Sequence, residues 1–207
     1  MSPETTVWLV RHGYVHNPNN IIYGRLPRFR LSERGLEEAR AAGRMMSEMP
    51  LHAAYSSPLL RARQTALEIL AFHPQLRLRR SPLLTEVFTA FEGKPSHVGD
   101  SRRDDYYTGV GPPSEQPADI VGRVLAFFEN VRRRHAGENV LAVTHGDIIL
   151  FTTLWARGLA PSPENKANLR ALGFNGYPAT GSLSAFTFRT DSPNELPDVR
   201  YLLPNRS

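Results

Sequence analysis

The stretch Val7–Gly13, VWLVRHG, decides the fold. Four apolar residues run from Val7 into Arg11, His12 and Gly13, which is typical of a buried strand that ends at a glycine. Open α/β sheets bind ligands where such strands end. The pattern places a guanidinium, which suits phosphate or carboxylate, beside an imidazole, which is a nucleophile or acid/base near neutral pH. Taken alone, the triplet more often marks a strand cap and a surface histidine.

Two later stretches favour the functional interpretation. Ser56–Ala66, SSPLLRARQTA, predicts a turn and then a helix opened by Pro58, with arginine in its first turns. Ala142–Asp147, AVTHGD, repeats the opening pattern of an apolar strand that ends in histidine and glycine. Arg61 lies near the helix N-terminus, where free N–H groups favour anions, whereas Arg63, two residues on, points elsewhere. We therefore assign Arg61 to the site and Arg63 either to the surface or to a supporting position behind the site.

In four motifs the chain resembles the histidine phosphatase superfamily, the phosphoglycerate mutase-like proteins of branch 1. The motifs are LVRHG, SSPLLRARQTA, the LLTE that contains Glu86, and VTHGD, and they follow one another in the family's order between Val7 and Ile149. The resemblance implies an α/β fold, a three-layer α/β/α sandwich with a mostly parallel central sheet. It also implies a single domain over 1–207, with a small cap insertion at about 87–118.

Two histidines and two arginines at one spot suit phosphoryl transfer, because a phosphomonoester is a dianion whose charge spreads over three non-bridging oxygens. Arg11 and Arg61 would hold two of those oxygens and His145 the third. The positive cluster would keep His12 neutral and nucleophilic. The resemblance makes Glu86 the proton donor to the leaving group, although from the residue alone a surface salt bridge is the better interpretation. The predicted catalytic residues are thus His12, Glu86, His145, Arg11 and Arg61.

The polar loop 14–30 is long for a connector, and long loops at a strand's end often build sites. The resemblance implies that this loop covers the phosphate and contacts the substrate. The predicted substrate-binding residues are therefore Arg11, Arg61, His145, Asn17, Tyr23, Gly24 and Arg25. A plain loop is an equally good interpretation for the residues within it. Tyr14 stands where many family members carry a glutamate or glutamine, so a substrate role taken from that position does not transfer.

Apolar patterns and caps predict the remaining elements. We expect helices over 35–49 with Ser32 as cap, 58–72, 118–135 and 147–157 with Asp147 as cap, and strands over 53–56, 76–84, 139–144, 182–189 and 199–203. The last two strands should pair with each other. His16 is the one further histidine with a sequence position near the site.

Composition limits the classes of function. With 41% hydrophobic and 22% charged residues, the 207-residue chain has the composition of a soluble globular protein, and no apolar run is long enough for a membrane span. The N-terminus lacks a secretory signal, and there are no cysteines, so we expect a cytoplasmic protein without disulfides or thiolate metal sites. The net charge of +5 comes from arginines scattered beside glutamates, which argues against nucleic acid as partner.

Three functions remain open at this stage. The first is a metal-independent phosphomonoesterase that works through phosphohistidine on a small phosphorylated metabolite and releases inorganic phosphate. The second is a phosphoglycerate mutase, which would need 2,3-bisphosphoglycerate as cofactor, and the third is a catalytically silent phospho-ligand binder. In the family that the chain resembles, true mutases carry a longer insertion between the positions of Glu86 and His145 and a mobile C-terminal tail. The resemblance therefore favours hydrolysis, because this chain is shorter in that region and its tail is minimal. No acidic cluster or histidine spacing suggests a metal cofactor, and we expect a monomer or homodimer.

Overall fold

A six-stranded sheet forms the centre of the molecule, which a computed structural model describes for residues 4–205. Its strands are β1 Thr5–Arg11, β2 Leu51–Ser56, β3 Leu78–Arg80, β4 Asn139–Thr144, β5 Leu183–Phe188 and β6 Asp198–Leu202. Their order across the sheet is β3-β2-β4-β1-β5-β6. The first four of these are mutually parallel, and β5 is antiparallel to both of its neighbours. The predictions of a mostly parallel sheet and of a paired final hairpin are confirmed.

Helices cover both faces of this sheet. In chain order they are α1 Glu33–Met46, α2 Leu60–Leu70, α3 His97–Ser101, α4 Pro117–Arg134, α5 Gly146–Ala156 and α6 Pro163–Ala167. Alternate side chains of β1 point to opposite faces, as the pleat of a strand requires. Trp8 and Val10 join the core beneath α1 and α2, whereas Val7 and Leu9 join the core beneath α4 and α5. The fold is therefore the expected three-layer α/β/α sandwich.

Local sequence explains where the long helices begin. Ser32 caps α1, because its Oγ accepts a hydrogen bond from the Gly35 N–H at 3.1 Å, as predicted. Pro117 occupies the first turn of α4, where its missing N–H costs nothing. α5 is apolar on nearly every side and almost wholly buried between the sheet and α4.

No helix within residues 4–205 is long and apolar enough to cross a bilayer.

Predicted boundaries were wrong near two prolines, and Pro82 explains the first case. The predicted strand 76–84 is a strand only over Leu78–Arg80, because Pro82 lacks an N–H for the sheet and instead starts a single 3-10 turn, Pro82–Leu84. The helix expected to open at Pro58 begins two residues later, with Leu59 in the extended capping position. The N–H of Leu59 donates to Ser57 Oγ at 3.3 Å and the Leu59 carbonyl accepts from the N–H of Arg63 at 3.1 Å, so the helical hydrogen bonds begin at Leu59.

The segment between the 3-10 turn and α4 lies against the loop that follows β1. Ile21 forms an isolated antiparallel bridge with Pro95, and the N–H of Gly93 donates to the carbonyl of Ile22 at 2.8 Å. The short helices α3 and α6 were not expected from the sequence. Both lie next to the loops that surround the carboxyl ends of β1 and β4, and so they contribute to the walls of the site.

Candidate active site

The sheet brings the two motif histidines together. β1 and β4 are parallel neighbours in a register that pairs Arg11 with Thr144, so the next residue of each chain segment is a histidine. The ring centroids of His12 and His145 lie 5.1 Å apart, with an angle of 62° between the planes. Both rings are buried, with exposed fractions of 1% and 0%. One phosphoryl group can therefore lie within reach of both imidazoles.

Backbone geometry fixes the tautomer of His12. Its Nδ1 lies 2.8 Å from the carbonyl oxygen of Gly13, and because a carbonyl only accepts hydrogen bonds, Nδ1 carries the proton. Nε2 is then the unprotonated nitrogen, and its lone pair accepts a hydrogen bond from Arg61 Nε at 3.2 Å. Residue 13 must be glycine, since a Cβ there would clash with the backbone of Gly35 in α1. Burial lowers the pKa of His12 well below its ordinary value, and the charges of Arg61 and Arg11 lower it further.

Arg61 lies at the centre of the site, in the first turn of α2, with an exposed fraction of 0%. Nη2 of Arg61 donates a hydrogen bond to the Gly24 carbonyl at 2.8 Å, and the same nitrogen lies 3.6 Å from Glu86 Oε2. The ring of Tyr23 covers the guanidinium at 4.8 Å. Arg63, two residues further on, is half-buried, whereas the Arg61 side chain is fully buried among these groups.

The second histidine is oriented by a serine that sequence reasoning passed over. His145 Nε2 lies 2.8 Å from Ser57 Oγ, which itself accepts a hydrogen bond from the N–H of Leu59 at 3.3 Å. Since the Ser57 proton is free to be donated to Nε2, we assign the imidazole proton to Nδ1. That nitrogen lies 3.3 Å from Glu86 Oε2 but makes no hydrogen bond within residues 4–205. Burial lowers the pKa of His145 well below its ordinary value, and the charge of Arg61 contributes.

Glu86 closes the cluster from the segment after the 3-10 turn. Its Oε1 accepts a hydrogen bond from the N–H of Val87 at 3.0 Å, while Oε2 faces His145 and Arg61. Burial raises the pKa of Glu86; the charge of Arg61 opposes that rise and the charge of Asp147 adds to it. A carboxyl group whose pKa is raised holds its proton to higher pH, as a general acid requires.

A cavity of about 660 Å³ opens above this cluster. Its lining includes the predicted residues Arg11, Asn17, Tyr23, Gly24 and Glu86. Arg11 Nη1 donates to the Pro178 carbonyl at 2.6 Å, and its buried Nε has no hydrogen-bond partner in the described part of the chain. A buried donor without a partner is costly, and an anion in the cavity would satisfy it.

Two loop residues predicted to bind substrate are held by protein groups. Both polar ends of the Asn17 side chain bond to the backbone of Ile21, at 2.8 and 3.2 Å. Arg25 donates from Nε to the Glu86 carbonyl at 2.6 Å and from Nη2 to Glu115 at 2.8 Å. Arg25 thus supports the backbone of Glu86. Tyr14 and His16 are exposed.

The predicted role of Asp147 as a helix cap was wrong. α5 has no side-chain cap, and Asp147 instead accepts hydrogen bonds from Tyr107, Tyr177 and Lys166, the last two at 2.8 Å. Burial raises the pKa of Tyr107 well above the ordinary value, and the charge of Asp147 raises it further. Sequence reasoning missed these partners. The one available signal was that Lys166 is one of only two lysines in the chain.

The three residues His12, Glu86 and His145 are also of types that ligate metals. Their ligand atoms lie within 4.8 Å of one another. Two features make the cluster suit an anion better than a cation. Arg61 donates to the free lone pair of His12, and the same guanidinium lies 3.6 Å from the only carboxylate of the three. A metal ion would have to displace that positive charge.

Sequence comparison places most of this chain in one known protein family. A family model of the histidine phosphatase superfamily (branch 1) matches residues 7–188. An uncharacterized protein of Mycobacterium tuberculosis is 37% identical over 155 residues, which are 70% of this chain and 75% of that protein. The metal-independent phosphoserine phosphatase of Arabidopsis thaliana is 33% identical over 163 residues, which are 72% of this chain and 67% of that protein.

Solved structures show the same fold. The mycobacterial glucosyl-3-phosphoglycerate phosphatase superposes with a TM-score of 0.76 at 21% identity, over 99% of this chain and 100% of that one. Fold and family match together define an enzyme of the phosphatase and mutase class. The chain belongs to the histidine phosphatase superfamily, branch 1, as the four sequence motifs predicted.

Proposed function

We propose that this protein is a metal-independent phosphomonoesterase that hydrolyses a small phosphorylated metabolite through a phosphohistidine at His12. The observation that carries the proposal is the tautomer of His12, whose Nδ1 is bonded to Gly13 and whose Nε2 lone pair faces the cluster. A neutral imidazole with a lowered pKa is available as a nucleophile over a wide pH range.

The reaction divides into two steps. In the first, Nε2 of His12 attacks phosphorus, the ester P–O bond breaks, and Glu86 gives its proton to the leaving oxygen. Arg11, Arg61 and the Nδ1–H of His145 hold the three non-bridging oxygens. In the second step, the Glu86 carboxylate takes a proton from water, the water oxygen attacks phosphorus, and the N–P bond breaks. Inorganic phosphate leaves, and His12 and Glu86 return to their starting states.

The substrate's remaining atoms have room above the cluster. A cavity of about 660 Å³ is larger than a phosphate group needs, and its wall carries both acidic and basic side chains, among them Asp100, Arg103 and Lys166. Tyr23 and Gly24 lie where they can contact the phosphoryl end. Because two relatives are phosphoserine phosphatases, phosphoserine belongs in the first panel of substrates, with glucosyl-3-phosphoglycerate beside it.

Release of inorganic phosphate from p-nitrophenyl phosphate and from that panel tests the proposal. A silent binder would give no release with any ester. A mutase would convert 3-phosphoglycerate in a coupled assay that contains 2,3-bisphosphoglycerate, and would do so faster than it releases phosphate. Either result would replace the proposed hydrolysis.

We expect turnover to fall as pH rises, because Glu86 must be protonated to act as the acid. Because the pKa of Glu86 is raised, the fall in kcat at high pH (the basic limb) should lie at a higher pH than for an ordinary carboxyl group. The lowered pKa of His12 keeps the nucleophile neutral at the acid end of the same range. The measurement is kcat against pH with phosphoserine or another alkyl phosphate. Glu86→Gln should lose the basic limb; a limb that persists in that variant would assign it to another group.

We expect metal removal to leave activity unchanged, because two guanidiniums supply the positive charge that a metal ion would otherwise provide. The measurement is phosphate release before and after dialysis against EDTA, with zinc, manganese or magnesium added back in separate samples. Loss of activity that one of these ions restores would contradict the proposal, and His12, Glu86 and His145 would then be the first ligands to test.

A further inference from the structure

The loop before β5 supplies a support for Arg11 that lies outside all four sequence motifs. We propose that Tyr177, anchored by Asp147, is a positioning residue that holds the Arg11 guanidinium against the transferred phosphoryl group. The inference rests on the proposed function, since it assigns a supporting role within the same anion-binding site.

Two contacts from adjacent residues fix the guanidinium plane of Arg11. The Pro178 carbonyl accepts from Nη1 at 2.6 Å, and the Tyr177 ring faces the guanidinium carbon at 5.0 Å from its centroid. Arg11 projects from the end of β1 on a flexible side chain, so without these contacts several rotamers would be open to it. With them, its buried Nε remains without a partner in the described chain and is available to a phosphate oxygen.

Tyr177 needs an anchor of its own, because the residue is 41% exposed. Its hydroxyl donates to Asp147 Oδ1 at 2.8 Å, and Asp147 is 6% exposed in the first turn of α5. The ring fits only because residue 146 is glycine: a Cβ at Gly146 would clash with the Tyr177 hydroxyl. The glycine that follows His145 thus leaves room for the support of Arg11 on the neighbouring strand.

Charge balance lets Asp147 serve as this anchor without competing for Arg11. Lys166 Nζ lies 2.8 Å from Asp147, and Tyr107 donates a second hydroxyl proton to the same carboxylate. The carboxylate is therefore neutralised by a lysine and bound by two tyrosines. Arg11 is bound by a carbonyl and a ring, both uncharged, so neither contact neutralises the charge that it offers to an anion.

A double-mutant cycle on anion binding tests the inference. Orthovanadate affinity is measured by isothermal titration calorimetry for the wild type, Tyr177→Leu, Arg11→Ala and the double variant. We expect Tyr177→Leu to weaken binding by about 3- to 30-fold, the range between an exposed and a desolvated cation–π contact. In the Arg11→Ala background the same change should have almost no further effect, because Tyr177 acts through Arg11.

Two further variants separate positioning from folding. Tyr177→Phe keeps the ring but removes the anchoring hydroxyl, and we expect a smaller loss than for leucine. Phe174→Leu removes another aromatic side chain of the same segment, one that packs on Arg157 and the core, and should leave vanadate affinity unchanged. Equal losses for Phe174→Leu and Tyr177→Leu would reduce Tyr177 to a folding role and overturn the inference.

Failure of the inference is distinct from failure of the proposed function. If the losses of vanadate affinity in Tyr177→Leu and Arg11→Ala simply add in the double variant, Tyr177 contacts the anion itself. That result overturns the positioning role but leaves the proposed hydrolysis intact. Coupled losses in a protein that binds vanadate but hydrolyses no ester would support positioning and remove the proposed activity. A wild type that binds no vanadate would overturn both.

Discussion

His12→Ala is expected to lower turnover of a phosphomonoester by on the order of 10⁴–10⁶-fold, the scale seen when a covalent nucleophile is removed. The physical reason is that His12 Nε2 carries the lone pair that attacks phosphorus, and alanine offers no substitute. The variant keeps Arg11 and Arg61, which would still bind the phosphoryl group. The measurement is kcat/KM with p-nitrophenyl phosphate, whose leaving group departs without help.

His52→Ala is the matched control, because His52 is an exposed histidine on β2 whose Nδ1 accepts a hydrogen bond from Asn139. It should keep the wild-type rate. Circular dichroism and thermal melting establish that both variants fold. A folded His12→Ala protein with more than about a hundredth of wild-type kcat/KM would contradict covalent catalysis at this residue.

Glu86→Gln should separate substrates by their leaving groups. General acid catalysis is worth about 10²–10⁴-fold, so hydrolysis of an alkyl phosphate should fall by that factor. Hydrolysis of p-nitrophenyl phosphate should fall far less, because its leaving group is stable as an anion. The measurement is the ratio of kcat/KM for the two substrates in wild type and variant. Glutamine keeps the size of the side chain but can neither give a proton to the leaving group nor take one from water in the second step.

An unchanged ratio would remove Glu86 from the role of proton donor. The acid would then be sought among Glu92, Glu115, Asp100, Asp104 and Asp105. The structure ranks Glu115 low, because Arg25 and Arg123 both bind its carboxylate. Asp100 and Asp104 lie in the cavity wall and would be the first to test.

The centre of the site was predictable because it depends on strand ends. Two apolar stretches that each run into a histidine and a glycine place His12 and His145 at one sheet edge if the strands are parallel neighbours, and they are. The arginines followed from the same logic, since Arg11 precedes one histidine and Arg61 begins a helix. Glu86 was assigned only through the family resemblance, because a lone glutamate carries no periodic pattern.

The surrounding contacts were beyond prediction because they join residues far apart in the chain. Lys166 and Tyr177 reach Asp147 from a segment without regular periodicity, so no spacing rule connects them. Asp147 looked like a helix cap because local sequence favours that interpretation. The three tertiary partners of its carboxylate outweighed the local preference.

Trapping of the phosphorylated enzyme tests the central claim most directly. The wild type is mixed with p-nitrophenyl phosphate, quenched at alkaline pH within milliseconds, where phosphohistidine survives, and digested for peptide mass spectrometry. The proposed mechanism predicts one added phosphoryl group on the peptide that contains His12, located on that imidazole, and none in His12→Ala. Transfer of the phosphoryl group to another residue would contradict it. Full turnover by an enzyme that forms no phosphorylated intermediate would contradict it as well.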